Sequence, residues 1–157
     1  MSTSALALED GTVFRGLPFG APVDAEAEVV FNTSMTGYQE IATDPSYRGQ
    51  MVTLTYPLIG NYGVAADDAE SWQPWIAALI VREYYDDPSN WNAAEPLDRY
   101  LKRGGIPGLR DVDTRALVRH LRARATMRAV LVHRADELPD AALVERARAV
   151  TSLSDQD

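Results

Sequence analysis

The spacing of apolar residues changes partway along this chain, and that change limits the folds open to it. Up to about Val81 they fall into short segments separated by turn signals, whereas beyond Glu95 strand-like and helix-like segments alternate. Ser4-Ala5-Leu6-Ala7-Leu8 predicts a first strand, and Asp10-Gly11 supplies the positive-φ dipeptide of a tight hairpin. Residues 12–19 run back as its partner, with Gly16 and Pro18 pointing to an edge strand or a bulge. Residues 26–33, 51–56 and 76–82 read as further strands, and 51–56 is the richest in β-branched and aromatic side chains. Thr36-Gly37-Tyr38-Gln39 has the spacing of a capping box for a short helix to Thr43, ended by Asp44-Pro45. Gly60, Asn61 and Gly63 read as loop, as do residues 86–92.

In the later part, residues 95–103 read as a helix capped by Gly104-Gly105, followed by a short strand at 106–109. Asp113 caps a helix over 114–124, residues 127–132 form a last strand, and 140–150 a last helix with Leu143, Val144 and Ala147 on one side. A hairpin-rich β first half and an alternating strand/helix second half make an α/β layered domain. It spans residues 1–150, with a polar tail at 151–157.

The 157 residues suit one domain. Cysteine is absent, which excludes disulfides, Cys-ligated metal sites and a thiol nucleophile. The longest apolar run, residues 75–81, is far short of the roughly 20 residues of a membrane helix. No basic-then-apolar leader is visible, so the expectation is a soluble, cytoplasmic domain with no membrane partner. The net charge of −8 averages over regions of different sign: residues 99–134 are strongly basic and both flanks are acidic. Arg115, Arg119 and Arg122 share one helical face opposite Leu117, Val118 and Leu121, the pattern of a solvated amphipathic helix. No nucleic-acid motif accompanies them, so no nucleic-acid partner is expected.

Little here equips a chain for catalysis, which needs an activated group beside a base or a charge that tunes it. The single lysine, Lys102, stands beside Arg103 at a helix end, where a cation suits the dipole. His120 and His133 lack Ser-His-Asp or metal-ligand spacing, and Asp67, Asp68 and Glu70 read as a solvated acidic loop. No phosphate-cradling glycine loop is found. No catalytic residue and no metal ligand is assigned. The densest polar stretch, residues 32–40, either presents free amides of a helix start to an anion or, the favoured reading, serves as strand end and helix cap. Ser46 in Asp44-Pro45-Ser46-Tyr47 reads as a turn residue.

These polar stretches carry a resemblance. Leu8-Glu9-Asp10-Gly11-Thr12, the block Val30-Phe31-Asn32-Thr33-Ser34-Met35-Thr36-Gly37-Tyr38-Gln39-Glu40, and Thr43-Asp44-Pro45-Ser46-Tyr47 are its core. Val52-Thr53-Leu54-Thr55-Tyr56-Pro57 and Asp113-Thr114-Arg115-Ala116-Leu117 extend it. Together they resemble the N-terminal domain of the small, glutamine-hydrolysing subunit of carbamoyl phosphate synthetase, from about Ser4 to Ala149. The resemblance implies a three-layer β/β/α swivelling-type fold. It implies a non-catalytic domain that docks the large subunit and completes a glutamine site formed mainly by the C-terminal glutaminase domain. Ser46 is the one position onto which a glutamine contact carries over. ATP and magnesium are implied for the large subunit and no cofactor for this chain, and arginine and pyrimidine synthesis are the implied pathways.

Ala125 and Ala129 stand where family members usually carry glycines flanking an arginine, which puts a positive-φ turn there in doubt. Two other readings of the residues remain at this point. One is a free-standing interaction or regulatory module of the same fold, and the other an independent hydrolase using Ser34 or Ser46. On the leading reading, the tail at 151–157 marks the boundary toward a missing glutaminase domain.

Overall fold

Alternate residues of the first strand face two different apolar environments, and the fold is arranged around that division. The computed structural model describes residues 3–33, 45–55, 58–60, 64–65, 75–86, 94–95, 97–124 and 126–150. Within it, β1 (Ser4–Leu8) sends Leu6 and Leu8 into a cluster with Val29, Met51, Ile80 and Leu131. Ala5 and Ala7 join a second cluster with Leu143, Val144 and Ala147. A strand apolar on both faces is thus covered on both, and each fully buried leucine contributes roughly 1.5–3 kcal/mol.

The hairpin expected at Asp10-Gly11 forms. β1 pairs antiparallel with β2 (Val13–Gly20), Gly11 has φ 101°, and the Thr12 N–H donates to Asp10 Oδ1 at 2.9 Å. β2 is not an edge strand, however. Residues 13–16 pair with β1 and residues 17–20 with β10 (Pro107–Arg110), so the strand changes partner after Gly16. Pro18 lies beyond the reach of β1, so its missing N–H leaves no gap in that ladder. Gly16 is there for space: a Cβ would run into the carbonyl oxygen of Arg110 and the side chain of Val112.

With β3 (Ala25–Asn32), β4 (Met51–Leu54), β7 (Ala78–Ile80) and β11 (Met127–Val132), the sheet closes into a seven-stranded barrel. The order is β1-β11-β3-β4-β7-β10-β2. β3, β4, β7 and β10 run parallel to one another, and the other pairs are antiparallel. The expected hairpin-rich first half therefore contains one hairpin among the described residues, because β3 and β4 are parallel neighbours. Two small pairings were not expected: β5 (Leu58–Gly60) with β8 (Tyr84–Asp86), and β6 (Val64–Ala65) with β9 (Ala94–Glu95). Gly60 and Asp86 are strand rather than loop, and Glu95 is strand rather than helix. Segments of two or three residues are too short to display a period of two.

Among the described residues three helices cover the barrel. α1 (Leu97–Arg103) packs Tyr100 and Leu101 against Phe19, Val52, Leu79 and Ile106. α2 (Thr114–Arg122) contributes Leu117 and Leu121 to the same cluster as the strand interior. Asp113 Oδ1 accepts the Ala116 N–H at 3.1 Å, the cap expected from the sequence. α3 (Asp140–Arg148) seals β1 and β11 through Leu143, Val144 and Ala147. The class is α/β, a mixed sheet with a few helices. The helix over 36–43, Asn61, Gly63, the acids at 67, 68 and 70, Ala125 and the tail at 151–157 fall outside the described residues.

Candidate functional site

Ser46 sits in a single 3-10 turn, Pro45–Tyr47, just before β4. Proline fixes φ at the first position, and the turn is tied down from its second half. The Gln50 N–H donates to the Tyr47 carbonyl at 2.9 Å, and the Gly49 N–H to the Trp75 carbonyl at 3.0 Å. Gly49 has φ 74°, a conformation that favours glycine. Tyr47 is half-buried against the cluster that includes Val52, Leu54 and Tyr100, and its hydroxyl accepts from Asn32 Nδ2 at 2.6 Å. Ser46 is thereby carried as an exposed residue on a fixed turn.

Asn32 joins this turn to a second feature. Its carbonyl accepts from Thr55, the residue after β4, through the N–H at 3.4 Å and Oγ1 at 3.3 Å. Thr55 lines a groove of about 380 Å³ together with Thr33, Thr114, Arg115, Arg119 and Arg122. The three arginines do share one face of α2, as the sequence indicated, but that face borders a groove. Thr33 and Thr55 follow the parallel neighbours β3 and β4, which brings two hydroxyls far apart in sequence to one end of the sheet. Reasoning from sequence placed Thr33 in a polar stretch but gave Thr55 no role beyond its strand.

The other candidates have structural partners. His120 Nδ1 lies 3.1 Å from Asp10 Oδ2, with its ring edge-on to Phe14, which ties α2 to the β1–β2 turn. His133 donates its main-chain N–H to Asp24 at 2.8 Å and accepts from Ser4 Oγ at 2.6 Å through its carbonyl. Neither ring bonds a serine or threonine hydroxyl among the described residues. Lys102 pairs with Asp98 at 2.8 Å, one helical turn away.

The strongest electrostatic constellation lies elsewhere, at Glu9. Arg128 donates to Glu9 Oε2 from Nε at 2.9 Å and from Nη2 at 2.8 Å, and its main-chain N–H donates to Oε1 at 3.0 Å. Burial disfavours the charged carboxylate, but these bonds and the nearby Arg124 outweigh it, so the pKa lies below the usual value. Asp10 behaves alike: burial works against its charge, and Thr12 and His120 more than offset it, again lowering the pKa. Both acids sit at the hairpin, where Glu9 fastens it to β11 and Asp10 to α2, a fastening role rather than a chemical one.

Comparison with known proteins follows the same stretches of chain. A family profile described as carbamoyl-phosphate synthase small chain, CPSase domain, matches residues 6–131. Among curated relatives, a carbamoyl phosphate synthase small chain of Symbiobacterium thermophilum is 57% identical over 151 residues, covering 90% of this chain and 40% of the relative. A protein of the same name from Oceanobacillus iheyensis is 55% identical over 132 residues, 84% of this chain and 36% of the relative. Another, from Nitratidesulfovibrio vulgaris, is 52% identical over 152 residues, 97% of this chain and 40% of the relative. The chain thus spans about 40% of the length of the curated relatives it matches.

Proposed function

Since this chain belongs to the carbamoyl-phosphate synthase small chain family, we propose that it acts as the N-terminal, non-catalytic domain of a glutamine-dependent carbamoyl phosphate synthetase. In that enzyme glutamine, bicarbonate and two ATP give carbamoyl phosphate. The domain docks the large subunit and lends one side of the glutamine site, while the glutaminase domain supplies the nucleophile. ATP and magnesium belong to the large subunit, and the chain alone has no activity. The reading also places the protein in the cytoplasm and takes the barrel and its helices as a form of the three-layer swivelling-type fold.

The observation that carries the reading is the Ser46 turn. A substrate contact needs a hydroxyl that is accessible and held in place. Ser46 is exposed, and its neighbours Tyr47 and Gly49 are fastened to Asn32 and Trp75. The absence of any cysteine in the chain accords with a nucleophile contributed from elsewhere.

The test is Ser46→Ala in the complete two-subunit enzyme, assayed with both nitrogen donors. Loss of one neutral hydrogen bond to glutamine should raise KM for glutamine about three- to tenfold. Activity with supplied ammonia should stay unchanged. An equal loss with both donors, or no change with either, would remove Ser46 from the glutamine site. Failure of the chain to co-purify with the large subunit would refute the docking role.

A further inference from the structure

The groove between α2 and the ends of β3 and β4 is unexplained by the glutamine site, and Ser46 does not line it. Among the described residues its walls carry three guanidinium groups and three hydroxyls and no carboxylate. Arg115, Arg119 and Arg122 are exposed, and among the described residues none of them pairs with an acid. Arg15, Arg110, Arg124, Arg128 and Arg146 have carboxylate partners, whereas Arg82, Arg99 and Arg134 share with the groove arginines the lack of one among the described residues. Thr114, only 2% exposed, borders the groove from the first turn of α2, and no hydrogen bond of its hydroxyl occurs among the described residues. The nearest acid in sequence, Asp113, is occupied with the Ala116 N–H.

We infer that this groove is a binding site for a phosphate-type oxyanion, held by Arg115, Arg119 and Arg122 and by the hydroxyls of Thr33 and Thr114. A lone carboxylate is satisfied by one bidentate arginine, whereas three cations on one face match a ligand with more than one negative charge. Positions 115 and 122 are seven residues apart on the helix, roughly 10 Å along its axis. That length suits a chain of two or three phosphate groups better than one. The hydroxyls of Thr33 and Thr114 add donors that a tetrahedral oxyanion uses on its inner side, while Thr55 Oγ1 stays on the Asn32 carbonyl. The groove volume of about 380 Å³ lies within the range of small-ligand sites. The inference does not depend on the glutamine reading, since no groove residue is shared with the Ser46 turn.

Calorimetric titration of the 157-residue chain with inorganic phosphate, pyrophosphate and triphosphate at low ionic strength tests it. The expected result is saturable one-site binding that tightens with phosphate number and weakens with added salt. Arg119→Gln should weaken pyrophosphate binding about tenfold, and Thr114→Val should weaken it with unchanged thermal unfolding. Arg99→Gln, an exposed arginine on α1, should leave it unchanged. Absence of saturable binding, or equal binding by wild type and Arg119→Gln, overturns the site. Citrate binding as tightly as triphosphate overturns the assignment to phosphate chemistry.

Discussion

Gly16→Ala offers the sharpest test of how the barrel closes. The methyl group would fall well inside contact distance of the Arg110 carbonyl oxygen and 2.9 Å from Val112 Cγ2. The first neighbour is backbone of β10, fixed in the ladder with β2 and β7, so it cannot swing aside. Overpacking of this kind costs about 3 kcal/mol, which for a domain of this size lowers Tm by roughly 6–12 °C. Two other glycines set the scale. At Gly108 a Cβ would meet the Phe19 ring at 2.5–2.8 Å, and a ring can shift, so Gly108→Ala should cost about 1–2 kcal/mol. At Gly105 nothing lies within 4 Å, and only φ 72° opposes alanine, a cost of about 1 kcal/mol. Urea unfolding followed by circular dichroism measures all three, with m-values shared if the native state stays closed. A Gly16→Ala protein within about 0.5 kcal/mol of wild type, a margin expected only of surface changes, would mean that β2 and β10 do not approach as described.

Two further outcomes follow from Glu9 and Thr53. Glu9 has a pKa lowered in the folded state, so its contribution to stability is present above the unfolded value and is lost as pH falls through the folded one. Glu9→Gln should therefore narrow the stability gap to wild type below about pH 4.5, the ordinary Glu value; a gap independent of pH between 7 and 3 would refute the Arg128 pairing. Thr53 is completely buried with its hydroxyl unbonded among the described residues, so Thr53→Val should stabilise the fold by about 1 kcal/mol in the same urea assay. A loss of similar size would show that the hydroxyl has a partner.

Local signals were legible where they were strong and self-contained. The Asp10-Gly11 hairpin and the Asp113 cap each depend on a few adjacent residues, and both form. The apolar faces of α2 and α3 also read correctly, because helical period places Leu117 with Leu121 and Leu143 with Ala147. What the sequence concealed was partnership. Gly16 and Pro18 signalled irregularity in β2, but nothing local says that one strand serves two neighbours. The groove was hidden for the same reason. Thr33, Thr55 and Thr114 belong to three separate segments, and only the parallel pairing of β3 with β4 and the seating of α2 bring them together. Ser46 was located through family resemblance, since a serine after proline in a turn has no chemical signature of its own.

The position of β11 has a consequence for biosynthesis. This strand lies between β1 and β3, pairing Ala5 with Val132 on one side and Val29 with Met127 on the other. Both neighbours are synthesised roughly a hundred residues before it. Until then the β1–β2 hairpin is a two-stranded ribbon of marginal stability with apolar residues on both faces. Pairing across more than a hundred residues also makes closure slow relative to local folding. The nascent chain must therefore hold an unfinished sheet, with two exposed edges, until residues 127–132 have emerged. Release of a chain stopped short of Met127 would leave β1 and β3 without the strand that joins them.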